Sequence, residues 1–323
     1  MVKLLSEVKG ASILVDYLPQ LEKEYNFWMR GSEELNSKNP SHYRVILMQD
    51  KNVLNRYWDE HYTPREESFK EDVELAKDVT DKETLLRHIR AACESGWDFS
   101  SRWFKNEKDF TSIHTTEIIP IDLNCLLHDL EITISKAYEL SNNNESAEKF
   151  AATANNRKQA IQKYCWNEKE NFYFDYDYVE GKQKQSQTLA ATFPLFFKIA
   201  TTEQAEGVAN FLEKHFLQPG GLQTTTVTTG QQWDSPNGWA PLQWIAIKGL
   251  INYGFKELAN DIAKRWMEIN EKVYLNTGKM MEKYNVVATD LAAGGGEYLS
   301  QDGFGWTNGV YLTIRRWMER PDF

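Results

Sequence analysis

Asp98 stands in a setting that could support proton transfer. It follows Trp97, precedes Trp103, and lies just past a helix that the pattern predicts to end near Cys93. Apolar, ring-walled surroundings raise the pKa of a carboxylic acid, and an acid that stays protonated can donate its proton to a leaving-group oxygen. The alternative is that Asp98 caps the next turn and pairs with Arg102.

Glu282 is the candidate for the complementary base. It lies between Met281 and Lys283, and Lys283 or a nearby arginine could keep its pKa low enough for the carboxylate to stay ionised. The alternative is a solvated glutamate–lysine pair, which contributes little. A carboxylic acid on one side of a bond and a carboxylate on the other is the arrangement that hydrolyses a glycosidic bond.

Two further segments carry rings, amides or carboxylates on predicted loops. Residues 229–241 contain Trp233, Asp234 and Trp239 among helix-breaking glycines and prolines. Flat rings edged with amides are suited to a sugar, although these tryptophans could instead close the end of a helical core. The glycine run 294–296, which leads to Glu297, allows a close backbone approach to a ligand or forms a hinge before the last helix.

Composition restricts the class of protein. The 323 residues include 11 Trp, 15 Tyr and 16 Phe, enough apolar material for a large core, and the net charge of -10 disfavours nucleic acids and anionic membranes as partners. Three separated cysteines and scattered histidines give neither a disulfide framework nor metal-ligand spacing, so we expect no cofactor and no metal. The polar N-terminus and the lack of a long apolar run predict a cytoplasmic chain.

Hydrophobic periodicity predicts a mostly helical chain with minor β structure. A long, mostly polar connection is expected over 31–69, and a short strand is expected over 172–178, which Glu180–Gly181 would turn back as a hairpin. Paired helices with long loops between them indicate a bundle or toroid that collects its functional loops at one end. Helices are predicted over 2–30 with a break near Tyr17, 70–77, 81–93, from Asp122 (as the cap) past Tyr138, from past Asn144 to Cys165, 188–199, 203–216 with a Thr201/Gln204 capping box, 240–252, 255–275 and 305–318.

Several segments together resemble the trehalases of glycoside hydrolase family 37. The segment QWDSPNGWAP (232–241) is similar to a specific signature of that family. The segments ESGWDFSSRW (94–103), IPIDLN (119–124), MEKY (281–284) and GGGEYLSQDGFGWTNG (294–309) match it in order and spacing. The similarity runs from about residue 1 to 318, which is nearly the whole chain.

The resemblance implies an all-α fold of the (α/α)6 toroid type and hydrolysis of α,α-trehalose to two glucose molecules with inversion at one anomeric carbon. It implies that Asp98 is the general acid and Glu282 the base that activates water. The implied substrate-binding residues are Arg65, Glu66, Glu67, Gly96, Trp233 and Glu297. Glu66 departs from the family pattern, which has proline between the arginine and the glutamate.

The chain lacks the earlier signatures of that family, so it is expected to be the C-terminal part, about two-thirds, of a single catalytic domain (residues 1–323) with an incomplete toroid and pocket. A monomer that binds trehalose is expected if the full domain is present. A missing N-terminal segment with a signal would instead give a periplasmic or secreted protein. The functional alternatives are an α-glucosidase on a similar toroid, or a non-catalytic fragment that binds a sugar or a partner chain.

Overall fold

Helices form most of the structure, a computed structural model that describes residues 2–296 and 300–319. The predicted break near Tyr17 is confirmed, since one helix ends at Asp16 and the next begins at Leu18. The helices in chain order are α1 Val2–Lys9, α2 Ser12–Asp16, α3 Leu18–Met29, α4 Phe69–Leu75, α5 Lys82–Ser95, α6 Ile121–Leu140, α7 Asn144–Cys165, α8 Phe193–Phe196, α9 Thr202–His215, α10 Ala240–Asn252, α11 Lys256–Thr277 and α12 Gly305–Glu319.

Side-chain caps fix where several helices begin. The Asp81 carboxylate accepts a hydrogen bond from the Thr84 amide at the start of α5. Thr201 and Gln204 form the predicted capping box at the start of α9, in which each side chain satisfies the other residue's backbone amide. These caps satisfy amide groups that have no partner inside the helix, so the sequence predicts these two starts closely.

Helices that pack against one another build the core. α6 packs against α7, and α10 packs against α8, α11 and α12, while α2 and α3 contact α6. Trp103, Trp239 and Trp266 are among the largest fully buried side chains. No helix within the described residues is both long and apolar enough to cross a membrane.

Short antiparallel strands pair between the helices. The predicted turn at Glu180–Gly181 is confirmed by the pairing of β7 with β8, and β4 extends that sheet. β1, β2 and β3 form a second sheet, and the pairs β5–β6, β9–β10 and β11–β12 complete the set. The strands are β1 Ser41–His42, β2 Val45–Leu47, β3 Val53–Asn55, β4 Ile118–Ile119, β5 Trp166–Asn167, β6 Phe172–Tyr173, β7 Tyr176–Asp177, β8 Lys182–Gln183, β9 Leu217–Gln218, β10 Gly221–Leu222, β11 Asn237–Trp239 and β12 Lys283–Asn285.

Three expectations differ from the structure. The segment 31–69 is not only connection, because it contains β1, β2 and β3, whose Val45 and Leu54 are completely buried. The helix expected over 188–199 is a 3-10 turn, Leu189–Thr192, followed by the single turn α8. Asp122 does not cap α6: Pro120 holds that position, and Asp122 inside the first turn binds a buried arginine instead.

That arginine is Arg102, which has a fully buried side chain. Its guanidinium pairs with the carboxylates of Asp122 at 2.7 and 2.8 Å and of Asp175 at 2.7 and 2.9 Å, while Trp97 and Trp103 lie over it at 4.5 Å. The two carboxylates raise the pKa of Arg102 well above its ordinary value, although burial opposes them. The Arg102 guanidinium therefore binds these two carboxylates. This disfavours the alternative that Arg102 is the partner of Asp98.

We expect the Arg102→Met variant to lose about 3–5 kcal/mol of unfolding free energy, because two buried carboxylates would lose their counter-charge. The measurement is urea denaturation followed by circular dichroism. As the matched control, Arg315→Met removes an arginine from an exposed pair with Glu319 and should change the midpoint little. An Arg102→Met midpoint equal to that of the wild type would contradict the assigned role.

Candidate active site

Asp98 lies in the loop that follows α5. Gly96 ends that helix with a positive φ of 74°, and a side chain there would meet nothing within 4 Å, so the backbone beside Asp98 is open to a ligand. Trp97 is buried, its carbonyl accepts a hydrogen bond from the Trp103 indole at 3.0 Å, and Asp98 itself is half-buried. The two tryptophans expected near Asp98 are therefore buried beside its loop, while the acid role of Asp98 stays a prediction.

Glu282 lies immediately before β12, with a side chain only 3% exposed. Its amide donates to the carbonyl of Gln301 at 2.8 Å, and its carbonyl accepts from the indole of Trp306 at 3.1 Å. Since α12 thus supplies a hydrogen bond to the Glu282 backbone, the base candidate is held by the last helix and by the strand pair. It is not the solvated pair that the alternative predicted.

Lys283 and Gln232 connect the Glu282 carboxylate to the backbone of Asp98. The Lys283 ammonium lies 3.2 Å from the Glu282 carboxylate and 2.8 Å from the side-chain oxygen of Gln232. The Gln232 amide nitrogen donates in turn to the backbone carbonyl of Asp98. Burial lowers the pKa of Lys283, and the charges of Glu282 and Asp98 oppose this, so both carboxylates lie within electrostatic reach of one lysine. No local feature of the sequence predicts this role for Gln232.

The tryptophans of the 229–241 loop form a stack. Trp233 lies 3.8 Å from Trp239 with an angle of 1° between the rings and 5.3 Å from Trp97 with an angle of 21°. Trp233 is 7% exposed and Trp239 only 1%, so these rings pack on one another. Trp306, 36% exposed, lies across Trp239 at 5.9 Å and offers a more accessible ring beside Glu282.

Asp234 holds this loop in place. Its carboxylate, which is fully buried, accepts hydrogen bonds from the hydroxyls of Ser100 and Ser101 and from the Ser101 amide at 2.7 to 3.0 Å. The hydroxyl of Thr225 lies at 3.1 Å and that of Thr229 also donates to it. Burial raises the pKa of Asp234, while these hydrogen bonds act in the opposite direction. Asp234 is therefore a structural link between the Asp98 loop and the tryptophan loop.

Arg65, the first residue of the implied substrate-binding triplet, is 4% exposed. Its guanidinium binds the Asp72 carboxylate at 2.6 and 3.0 Å and lies 4.9 Å over the ring of Phe99. The structure therefore places it against the residue that follows Asp98, oriented by a residue of α4. Glu66 is 82% exposed and lies 3.6 Å from Arg90, on the outside of this segment, and Glu67 is also exposed.

The glycine run packs against the tryptophan loop. Gly295 and Gly296 have positive φ values of 81° and 83°, and a side chain on Gly295 would meet the carbonyl oxygen of Gly230 at 2.5 Å. The Gly296 amide donates to that same carbonyl at 3.0 Å. The close approach that these glycines permit is thus to another loop of the chain. Glu297 lies outside the described residues.

One group of side chains has the donor set of a metal site. His114 Nδ1 lies 3.3 Å from Glu117 and 3.4 Å from Asp177. However, the Lys184 ammonium lies 2.7 Å from His114 Nε2, and Lys105 lies 2.7 Å from the same Glu117 oxygen. Hydrogen bonding from His114 and pairing with Lys105 lower the pKa of Glu117 to about 2, against burial. Two lysines therefore supply the positive charge that a cation would bring.

The structural comparisons define the fold class. The chain is similar to a neutral trehalase from Saccharomyces cerevisiae with a TM-score of 0.70 and 23% sequence identity over 87% of this chain and 55% of that one. It is also similar to a mannosylglycerate hydrolase from Thermus thermophilus solved with glucose, with a TM-score of 0.55, 13% identity, and coverage of 95% and 69%. The expected all-α fold class of the (α/α)6 toroid type, with small β-hairpins, is confirmed.

The sequence comparisons define the family. The model of the family described as trehalase matches residues 1–318, and the chain belongs to that family. It is 47% identical to a periplasmic trehalase from Salmonella paratyphi B and 46% identical to one from Salmonella newport, each over 316 residues and 97% of this chain. The chain spans about half the length of these curated relatives, 55% in each case.

We expect Asp234→Ala to destabilise the protein by at least about 1–3 kcal/mol, because the buried Ser101 amide would lose its acceptor and has no alternative orientation. Asp234→Asn should cost less, since hydroxyl groups can rotate to accept from an amide. Urea denaturation measures both, and Asp290→Ala, at an exposed pair with Lys272, is the control. Equal stability of the Ala and wild-type proteins would exclude the linking role.

Proposed function

We propose that this chain carries the acid and base of an enzyme that hydrolyses α,α-trehalose to two glucose molecules with inversion at one anomeric carbon. Asp98 donates a proton to the departing glycosidic oxygen, and Glu282, ionised, takes a proton from the attacking water. The observation that carries the proposal is the hydrogen-bonded chain Asp98–Gln232–Lys283–Glu282, which joins two carboxylate-bearing loops at one place.

The surroundings of the two carboxylates support different roles for them. The Glu282 side chain is only 3% exposed, and its carboxylate lies 3.2 Å from the Lys283 ammonium, which suits the base role. Asp98 is half-buried and lies in the chain between Trp97 and Phe99, both of which are buried. We therefore propose the base role for the carboxylate beside the ammonium and the acid role for Asp98.

The polar groups around Asp98 could hold the sugar. We propose that Arg65, held by Asp72, donates hydrogen bonds to sugar hydroxyls, and that the open backbone at Gly96 contacts the same ring. Glu67, Trp233 and Glu297 are proposed to line the pocket as well. Glu66 is the weakest member of the set because its carboxylate is exposed and faces Arg90.

Inversion makes a specific prediction about the products. Both anomeric carbons of the substrate are α, so attack by water on one face should release one β-glucose and leave one α-glucose. Proton NMR of fresh reaction mixtures, recorded before mutarotation, should show the two anomers in equal amounts. Two α anomers would indicate retention, and hydrolysis of maltose in preference to trehalose would favour the α-glucosidase alternative.

Variants of the two carboxylates test the assigned residues. Asp98→Asn and Glu282→Gln should each lower kcat by at least about 100-fold, because general acid or base catalysis contributes about 100- to 10,000-fold. Asp290→Asn, a matched change at an exposed carboxylate, should keep the wild-type rate. Wild-type activity in either catalytic variant would remove that residue from the mechanism.

The extent and location of the protein belong to the same proposal. We propose that residues 1–323 form part of one catalytic domain, since the curated relatives are longer. Those relatives are named periplasmic, whereas the sequence alone predicts a cytoplasmic location. We propose the periplasm for the whole protein, and osmotic-shock fractionation of the native host distinguishes the two locations.

A further inference from the structure

Lys283 has an environment that exposed lysines lack. Its side chain is completely buried, between the carboxylate of Glu282 at 3.2 Å and the amide oxygen of Gln232 at 2.8 Å. The ring of Trp239 lies 5.3 Å from its ammonium group. A buried ammonium is costly unless charges and acceptors surround it, and a carboxylate, an amide oxygen and a ring face are among the groups that do so here.

The fold fixes Lys283 at this place. In the pairing of β11 with β12, Trp239 lies opposite Lys283 and Gly238 lies opposite Tyr284. A side chain at Gly238 would meet Val286 at 2.6 Å and the Leu222 carbonyl at 2.9 Å, so β10 and the residue that follows β12 pack closely on β11 because that residue is glycine. This packing fixes the backbone that carries Lys283 and Glu282.

We propose that Lys283 is a positioning residue, which holds the Glu282 carboxylate ionised and correctly oriented, and that Gln232 fixes Lys283 while linking it to the Asp98 loop. The catalytic role of Glu282 comes from the proposed function, on which this inference rests. The interaction between Lys283 and Glu282 does not depend on that role and can be measured separately.

Neighbouring charges determine the sign of the effect. The charge of Asp98 also acts on Lys283, and the last helix presents the uncharged Trp306 and Thr307 to the Glu282 segment. Removing the ammonium would take a positive charge away from the buried Glu282 carboxylate. Because an opposite charge nearby favours the ionised form of a carboxyl group, we expect the pKa of Glu282 to rise when Lys283 is neutralised.

The direct test is a titration of Glu282 by carbon-13 NMR in protein labelled at the glutamate carboxyl, with the resonance assigned by its absence in Glu282→Gln. Lys283→Met and Lys283→Gln should raise the Glu282 pKa by roughly 1–3 units, the usual effect of losing a close opposite charge. Lys283→Arg should retain most of the wild-type value. Lys272→Met, which removes a lysine from an exposed pair, is the matched control and should leave the titration unchanged.

The Gln232→Leu variant tests the role of Gln232 separately from that of Lys283. In this variant Lys283 would keep its contact with the Glu282 carboxylate but lose the Gln232 oxygen as an acceptor. We therefore expect a smaller rise in the Glu282 pKa than in Lys283→Met. Circular dichroism verifies that each variant is folded, and the two neutral Lys283 variants provide independent measurements. An unchanged Glu282 titration in both of them would overturn the proposal, as would a rise in Gln232→Leu equal to theirs.

Kinetics supply the second readout. If the protein hydrolyses trehalose, the acid limb of kcat/KM reports ionisation of the base in the free enzyme and should move upward in Lys283→Met by the same amount as the NMR titration. A lower rate with an unmoved acid limb would mean that Lys283 is only structural, and would overturn the proposal. If the wild type does not hydrolyse trehalose, the proposed function fails, while the NMR titration still decides the role of Lys283.

Discussion

The burial of charge is the constraint on which this structure depends. Carboxylates removed from water are tolerated only where donors or cations replace the lost solvation. Arg102 binds two buried aspartates, Arg157 binds the fully buried Glu131 at 2.8 Å, and Lys283 faces Glu282. Each of these groups joins segments that are distant in the chain or fixes a loop, so the same contacts that satisfy charge also determine how the loops meet.

Asp234 satisfies the constraint without a cation. Hydroxyl and amide donors from the Asp98 loop and from residues 225–229 surround its carboxylate. Because burial raises its pKa while these donors act in the opposite direction, the site depends on keeping the donors in place. The result is a fixed distance between the loop that carries the proposed acid and the loop that carries Gln232. The position of the Asp98 loop relative to the Gln232 loop thus depends on Asp234, a carboxylate that is not proposed to react.

The sequence predicted much of the helical scaffold because its signals are local. Caps such as Thr201 with Gln204, and the break near Tyr17, depend on residues within one turn of each other. The partner of Arg102 was not predictable in this way: Asp175 is far from it in the chain, and the charge pattern offers many equivalent pairings. The position of Asp122 at a helix start predicts a cap, whereas the tertiary contact with Arg102 shows its role.

The candidate site was predictable to the same extent. Asp98 and Glu282 have recognisable neighbours in sequence, whereas Gln232 lies in a loop with several amides and has no local feature that marks it. Its role follows from the β11–β12 pairing, which brings residues 237–239 beside 283–285. Pairing between strands of three residues separated by two helices leaves almost no periodic signal, so a sequence pattern does not reveal it.

The stacked tryptophans also change what the 229–241 loop can do. A sugar stacks on an exposed ring face, but Trp233 packs against both Trp97 and Trp239 and is 7% exposed. Its contact with a ligand would therefore be through the ring edge, and the stack would act mainly as a rigid wall under Lys283. Trp306, with a third of its surface exposed and its indole bound to the Glu282 carbonyl, is better placed to offer a ring face next to the proposed base. Under the proposed function, sugar recognition by this loop would depend more on its polar groups than on its aromatic content.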